Sequence, residues 1–249
     1  MREVPIPSEL VNRLRHARQV AVLTGAGVSA ESGVPTFREA QTGLWAQYDP
    51  QELATPEAFR RNPKLVWEWY AWRQERIRQA EPHAGHRALV TMEQQIPEFS
   101  LITQNVDGLH RRAGSHQLVE LHGNIFRAKC FSEDRPVENW SDDGEIPPRC
   151  PRCGGLLRPD VVWFGEALPA AALHTAQHAA RTTEIFFSIG TSTLVYPAAD
   201  LPFVALGLGA TVVEINPQPT PLSPHVTFSL TGAAGEILPA LVNQTWEAA

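Results

Sequence analysis

Short, mostly apolar runs recur along this chain: VAVLT (20–24), FSLIT (99–103), QLVEL (117–121), EIFFSIG (184–190) and ATVVEIN (210–216). Runs of this length and composition are strands buried on both faces, the habit of parallel sheets. Stretches of helical spacing lie between several of them. Ser8 to Arg18 puts Leu10, Val11 and Leu14 on one face, with Pro7 or Ser8 at its start. His86 to Gln95 and Pro169 to Arg181 read as further helices. Strand, helix, strand alternation predicts an α/β fold, a doubly wound, Rossmann-like parallel sheet with helices on both faces.

Two stretches break the alternation. Residues 41–80 are helical in pattern and rich in aromatics: Trp45, Phe59, Trp67, Trp69, Tyr70 and Trp72. Residues 122–160 hold Cys130, Cys150 and Cys153, several prolines and the acidic loop SEDRPVENWSDDGE. Both read as insertions that together build a smaller lobe, one part helical and the other Cys-containing and zinc-ribbon-like. The 249 residues then form a single domain. Its Rossmann-like core takes about 1–40, 81–121 and 161–249, and its small lobe about 41–80 and 122–160. A cleft between lobes is a favoured place for a ligand.

Composition narrows the class. A hydrophobic fraction of 43% with 19% charged residues excludes wholesale disorder. The net charge of −6 argues against nucleic acid as a partner. No apolar run approaches the ~18 residues that span a bilayer, and MREVPIPSELVNRLRHARQ lacks the apolar stretch of a secretory signal. Three cysteines, two of them as Cys150-x-x-Cys153, fit a metal site in a reducing compartment better than a disulfide framework. The expectation is a soluble, cytoplasmic protein with no membrane partner.

VAVLT runs straight into Gly25-Ala26-Gly27-Val28-Ser29-Ala30, a G-x-G-x-x-A loop between a strand and an expected helix. Such a loop turns tightly at its first glycine and lets backbone N–H groups reach a pyrophosphate near its second. By itself it weighs about evenly between a nucleotide site and a plain turn. No acidic residue follows ~20 positions later at a second strand end, as an ordinary dehydrogenase would have; Glu39 falls in the insertion. More polar residues stand at strand ends: Gln104, Asn105 and Asp107 after FSLIT, Gly190, Thr191 and Ser192 after EIFFSI, and Asn216 after ATVVEI. One polar turn is ordinary. Three at carboxyl ends, with the glycine loop, indicate one extended ligand. His122 follows a strand and precedes a glycine, and a histidine suits a general base. His83 and His86 fit a helix start better than a metal pair, and His110 reads as structural.

The string GAGVSAESGVPTFR (25–38) strongly resembles the nucleotide loop of the sirtuins, the NAD-dependent protein deacylases. TQNVDGLH (103–110), LHG (121–123), VWFGE (162–166), GTS (190–192) with Val195, Asn216 and GAA (232–234) resemble further blocks of that family, in its order and over nearly the whole chain. The resemblance implies that NAD is bound by Gly25, Ala26, Gly27, Ser29 and Glu31, and by Thr36, Phe37 and Arg38, with Phe37 over the ribose. It adds Gln104, Asn105, Asp107, Gly190, Thr191, Ser192, Asn216 and Ala234 to the same site. It makes His122 the catalytic base, and Val162, Phe164 and Gly165 the rail for an extended acyl-lysine peptide. The implied products are free lysine, nicotinamide and 2′-O-acyl-ADP-ribose, with NAD consumed. A mono-ADP-ribosyltransferase on the same scaffold is the alternative, and a non-catalytic NAD sensor or a zinc-ribbon interaction protein fits less well.

Two finer readings follow. Lys64 to Arg78 is a helix-forming stretch in which Tyr70 and Arg73 share a face, although Arg60, Arg61, Arg76 and Arg78 nearby also suit a solvated one. Tyr70-x-x-Arg73 and ATPEAFRRNPKLVWEWY (54–70) resemble the class III branch, which implies a preference for succinyl, malonyl or glutaryl groups beside deacetylation. The family also carries a structural zinc on two Cys pairs. Here Cys130, Cys150 and Cys153 are present, and Glu133 or Asp134 stands near the place of the fourth. A carboxylate ligand and a degenerate, metal-free site are both open.

Overall fold

The protein, seen here as a computed structural model, is described over residues 5–35, 49–140 and 144–247. The chain begins with α1 (Ser8–His16), β1 (Gln19–Thr24) and a one-turn α2 (Ala26–Ala30). A helical excursion follows: α3 (Pro50–Leu53), α4 (Pro56–Arg61) and α5 (Pro63–Arg78). Thr55 and Asn62 cap the last two, accepting from the N–H groups of Ala58 and Leu65, and a proline occupies each first turn. A Thr-Pro or Asn-Pro pair is a helix start for that reason. Then come α6 (Ala84–Gln95), β2 (Glu98–Thr103), α7 (Leu109–Ala113) and β3 (Leu118–Glu120). The Cys-bearing excursion holds β4 (Gly123–Cys130), β5 (Pro136–Val137) and β6 (Leu157–Val161). The chain returns through α8 (Ala170–Thr182), β7 (Ile185–Ile189), α9 (Leu201–Gly207), β8 (Thr211–Asn216), β9 (Phe228–Thr231) and α10 (Ala234–Val242).

Six strands form one parallel sheet in the order β3-β2-β1-β7-β8-β9. This is the doubly wound order, and it reverses between β1 and β7, where such folds open a ligand crevice. Alternation along the strands divides the core. Val20, Val22 and Phe187 pack with α1, α6 and α10 on one face. Ala21, Leu23 and Phe186 pack with α8 and α9 on the other. Each buried Leu or Phe contributes about 1.5–3 kcal/mol, and both faces are filled, so the strands read as unbroken apolar runs. Among the described residues no helix is long and apolar enough to cross a membrane.

A second sheet, β5-β4-β6, is antiparallel. Its Ile125 and Val161, with Trp163, share one core with Phe59, Val66, Trp69 and Tyr70 from α4 and α5. The two excursions therefore stabilise each other. β3 is shorter than the expected QLVEL strand, and β9 and α10 add elements the apolar runs did not flag. β9 is a four-residue edge strand with a single buried side chain, so it carries no continuous apolar signal.

Candidate active site

The loops leaving β1 and β7 are pressed together at the reversal of strand order. A Cβ on Gly25 would lie 2.7 Å from the Gly190 carbonyl oxygen, and one on Gly190 would lie 2.6 Å from the Val28 nitrogen. Gly190 also has φ +60. The N–H of Gly27 donates to Gly190 O at 2.8 Å. The missing side chain of Gly27 thus admits the β7 loop, to which its own N–H is bonded. Because α2 is one turn long, its dipole adds little to anion binding. Ala26 is exposed beside this contact.

The loop after β2 is clamped to the glycine loop by side chains. Asn105 Nδ2 donates to Gly25 O at 2.9 Å and to Ser29 Oγ at 2.8 Å. Ser29 Oγ donates to Asp107 Oδ2 at 2.6 Å, and Asp107 Oδ1 accepts from the Leu109 N–H at 2.8 Å. Burial pushes the Asp107 carboxyl above its usual range, while Ser29, the Leu109 N–H and Arg73 hold it down. Gln104 Nε2 donates to Thr191 Oγ1 at 3.3 Å, and Asn216 Nδ2 to Thr191 O at 3.1 Å. Gln104, Asn105, Asp107, Gly190, Thr191 and Asn216 thus meet along one sheet edge, with Ser192 exposed next to them. Glu31 stands further out and accepts from the Gly235 N–H at the start of α10, beside buried Ala234. Thr36, Phe37 and Arg38 lie outside the described residues.

His122 joins the two sheets. Its Nδ1 is 2.9 Å from Gln104 O. A carbonyl only accepts, so Nδ1 carries the proton and Nε2 keeps the lone pair. Burial holds the imidazole below its ordinary 6.5, against the opposing pull of Gln104 O, so it is neutral near pH 7. The next residue must be glycine. Gly123 has φ +79, and a Cβ there would lie 2.1 Å from Asp160 O. His122 O accepts from the Val162 N–H at 2.9 Å, which fixes the base to the Val162–Glu166 segment.

That segment is anchored from below. Glu166 accepts from buried Arg158, with Nη2 at 2.9 Å, and from the Trp163 N–H at 2.8 Å. The Arg158 guanidinium lies 3.3 Å from the Trp163 ring centre, and Trp163 Nε1 donates to the Tyr70 hydroxyl at 2.9 Å. Phe164 is 54% exposed and its N–H donates to Ala54 O, while Gly165 turns at φ +85. Arg73 sits over the Trp69 and Tyr70 rings, at 5.0 and 5.9 Å. Burial lowers the pKa of Arg73, opposed by Tyr70 and Asp107. Burial also raises Tyr70 to about 12, so it stays a neutral phenol.

Sequence reasoning missed the Arg158–Trp163–Tyr70 stack, since a lone Arg in a strand gives no signal of its depth. His83 caps α6 rather than binding metal, as its spacing indicated. The His86 and His110 rings meet at 4.8 Å, tilted by 53°, and burial drives their pKa values down to about 2 and about 4.

In the Cys-bearing lobe, ligand atoms of Cys130, Glu133, Cys150 and Cys153 all lie within 4.8 Å of one another. The Cys130 and Cys153 sulfurs are 3.4 Å apart, and no cysteine is in a disulfide. Thiolates around tetrahedral zinc, at about 2.3 Å from it, stand roughly 3.8 Å apart, so this donor set fits a structural zinc.

Comparison with known proteins follows the same lines. The Sir2 family model matches residues 25–197. An NAD-dependent protein deacylase of Aquifex aeolicus (strain VF5) is 56% identical over 205 residues, 82% of this chain and 85% of the relative. NAD-dependent protein deacylase 2 of Pyrobaculum aerophilum is 52% identical over 237 residues, 93% of this chain and 92% of the relative. A solved Sir2 homolog in complex with NAD superposes with a TM-score of 0.90 at 43% identity, covering 100% of this chain and 97% of that one. A Sir2 structure with p53 peptide and NAD+ gives a TM-score of 0.83 at 30% identity, over 95% and 97% of the two chains. Fold, motif order and these relatives agree, and the chain belongs to the Sir2 family.

Proposed function

We propose that this protein is an NAD-dependent protein-lysine deacylase, and the observation that carries the reading is the tautomer of His122. The Gln104 carbonyl holds the proton on Nδ1, leaving Nε2 as a neutral acceptor at the sheet edge where the glycine loop, Gln104 and Asp107 meet. The relatives named NAD-dependent protein deacylase and the solved NAD complex support NAD as the co-substrate. Bound NAD supplies a ribose carbon activated by its nicotinamide leaving group, which the acyl oxygen of the modified lysine attacks. His122 removes a proton from a ribose hydroxyl at Nε2, general base catalysis worth ~10²–10⁴-fold. The Asn105–Ser29–Asp107 clamp fixes the glycine loop, so little reorganisation is needed when the nucleotide enters. Val162 to Gly165 offers an extended edge to a peptide, with exposed Phe164 for contact. The hydroxyl oxygen then attacks the acyl carbon, and one water is consumed as the lysine nitrogen leaves, so the products are free lysine, nicotinamide and 2′-O-acyl-ADP-ribose.

The acyl specificity extends to acidic groups. A succinyl-lysine ends in a carboxylate, and Arg73 presents a fork of donors for it beside the neutral Tyr70 phenol. Tyr70 belongs to the buried core shared with Trp69 and Trp163, and Arg73 lies over the Trp69 and Tyr70 rings. Zinc held by Cys130, Cys150 and Cys153 supports the small lobe and takes no part in the chemistry, because the cysteines sit in the second sheet and its turns.

The test is incubation of wild-type and His122→Ala protein with NAD and a panel of acyl-lysine peptides, read by mass spectrometry. The expected result is 2′-O-acyl-ADP-ribose from the wild type and a turnover at least ~10²-fold lower in a folded variant. ADP-ribosylated protein without acyl-ADP-ribose, or full activity of His122→Ala, would overturn the reading.

A further inference from the structure

We propose that Glu133 is the fourth ligand of a mixed zinc site, three thiolates and one carboxylate, with Arg152 as the partner that orients it. The inference rests on the cluster itself and its readout is metal binding, so it stands or falls apart from the deacylase reading.

Cys130 ends β4 and is buried, as is Cys150, whereas Glu133 and Cys153 are exposed. Three thiols alone leave a tetrahedral structural site one ligand short. Residues 123–160 contain no histidine, so a fourth protein ligand from this lobe is a carboxylate. Two acids follow Cys130 closely, and the structure separates them. Asp134 is turned to Lys129, whose Nζ lies 2.6 Å from Oδ1. Glu133 points into the cluster, with a carboxylate oxygen inside the 4.8 Å envelope of the sulfurs. The chain returns at this point because the Asp134 N–H donates to Cys130 O at 2.9 Å, with Asp134 at φ 51. A tight turn thereby puts the residue three after Cys130 on the same side as its sulfur.

Arg152 sits between Cys150 and Cys153 and reaches the same carboxylate. Its Nε donates to Glu133 Oε2 at 2.9 Å, and its Nη1 to Pro136 O at 3.3 Å. The guanidinium holds one carboxylate oxygen, and a carboxylate has a second to offer a metal. The charges agree. A dication with three thiolates and one carboxylate carries a net −2, which one guanidinium halves. Outer-shell partners of this kind fix ligand orientation, and losing one costs about 10–100-fold in metal affinity. Carboxylate oxygen binds zinc with less covalency than thiolate, and the Glu133–Cys153 side is open to water. The site is therefore expected to release zinc faster than a four-thiolate site on the same scaffold.

The experiment uses the full chain, expressed with zinc and purified without chelator. It measures zinc per chain, the rate of zinc transfer to a chromophoric chelator, and the spectrum after replacement by cobalt(II). Wild type should carry about one zinc per chain. Glu133→Ala and Arg152→Met should each release zinc at least ~10-fold faster, and Asp134→Ala should match wild type. Glu133→Cys should slow release and raise the thiolate-to-cobalt charge-transfer band by about a third, from three thiolates to four. Should Glu133→Ala not fold, the comparison of Glu133→Cys with wild type still decides the matter. Wild type without zinc, wild-type release rates in Glu133→Ala, loss of zinc in Asp134→Ala, or an unchanged cobalt spectrum in Glu133→Cys would each overturn the proposal.

Discussion

Replacing Gly123 by alanine tests whether the base is positioned by its backbone. The substitution meets two obstacles. At φ +79 a side chain costs about 1–2 kcal/mol in left-handed backbone energy. The new Cβ would also lie 2.1 Å from Asp160 O, where real Cβ contacts do not fall below 3.0 Å. The obstacle is backbone and cannot rotate away, so the Gly123–Val161 pairing of β4 and β6 must open by roughly 1 Å. His122 moves with it, since its carbonyl is bonded to the Val162 N–H and its Nδ1 to Gln104 O. A misplacement of about 1 Å at a reacting group costs ~10²-fold, or about 2.7 kcal/mol of barrier. Gly209→Ala is the control, at φ +88 with nothing within 4 Å of the added carbon. It meets the backbone cost without the clash. Urea unfolding followed by tryptophan fluorescence and kcat/KM on one acyl peptide should be measured for both. Gly123→Ala should lose ~10²-fold in kcat/KM and more stability than Gly209→Ala, which should keep its activity. Equal stabilities with unchanged kcat/KM in Gly123→Ala would refute the argument.

Further outcomes are expected elsewhere. Arg73→Met should lower kcat/KM for a succinyl peptide by ~10–100-fold relative to the acetyl peptide, the loss of a charge-assisted bond worth about 1.5–3 kcal/mol; an unchanged ratio would show that Arg73 does not read the carboxylate. Glu166→Ala strips buried Arg158 of its carboxylate and should cost about 3–5 kcal/mol in urea unfolding, whereas a loss under ~1 kcal/mol would mean that the guanidinium finds water. His110 is held at about 4 and His86 at about 2, both below the ordinary 6.5. The unfolded chain therefore takes up protons first, and stability present above ~6.5 is lost as the pH falls toward ~4, by roughly 3 kcal/mol for His110 alone. His110→Gln should flatten that slope, and parallel curves for the two proteins between pH 7 and 5 would contradict it.

Much of this protein was legible without coordinates, and the limit is physical. VAVLT, FSLIT, EIFFSI and ATVVEI are buried on both faces, so their apolar character is continuous and announces a parallel sheet. The glycine loop and the polar strand ends are local signals as well, and the motif order carried the family. What the tertiary structure decided depends on which atoms meet in space, whether near or distant in the chain. Gly123 looks like any glycine until Asp160 O, across the β4–β6 pair, occupies the space of its side chain. Gly27 donates its N–H to Gly190 O, on a loop far along the chain that the glycine motif alone does not name. Glu133 and Asp134 are equivalent as letters, and only the turn after Cys130 and the position of Lys129 set them apart. Arg158 lies in no apolar run and its letter carries no sign of depth, yet it is buried against Trp163, because β6 is covered by α5. Periodicity reports how deeply a segment is buried, because solvent exposure alternates with local geometry. Which atoms meet across 30 or more residues is set by how the sheets and helices pack, and a one-dimensional pattern holds no record of it.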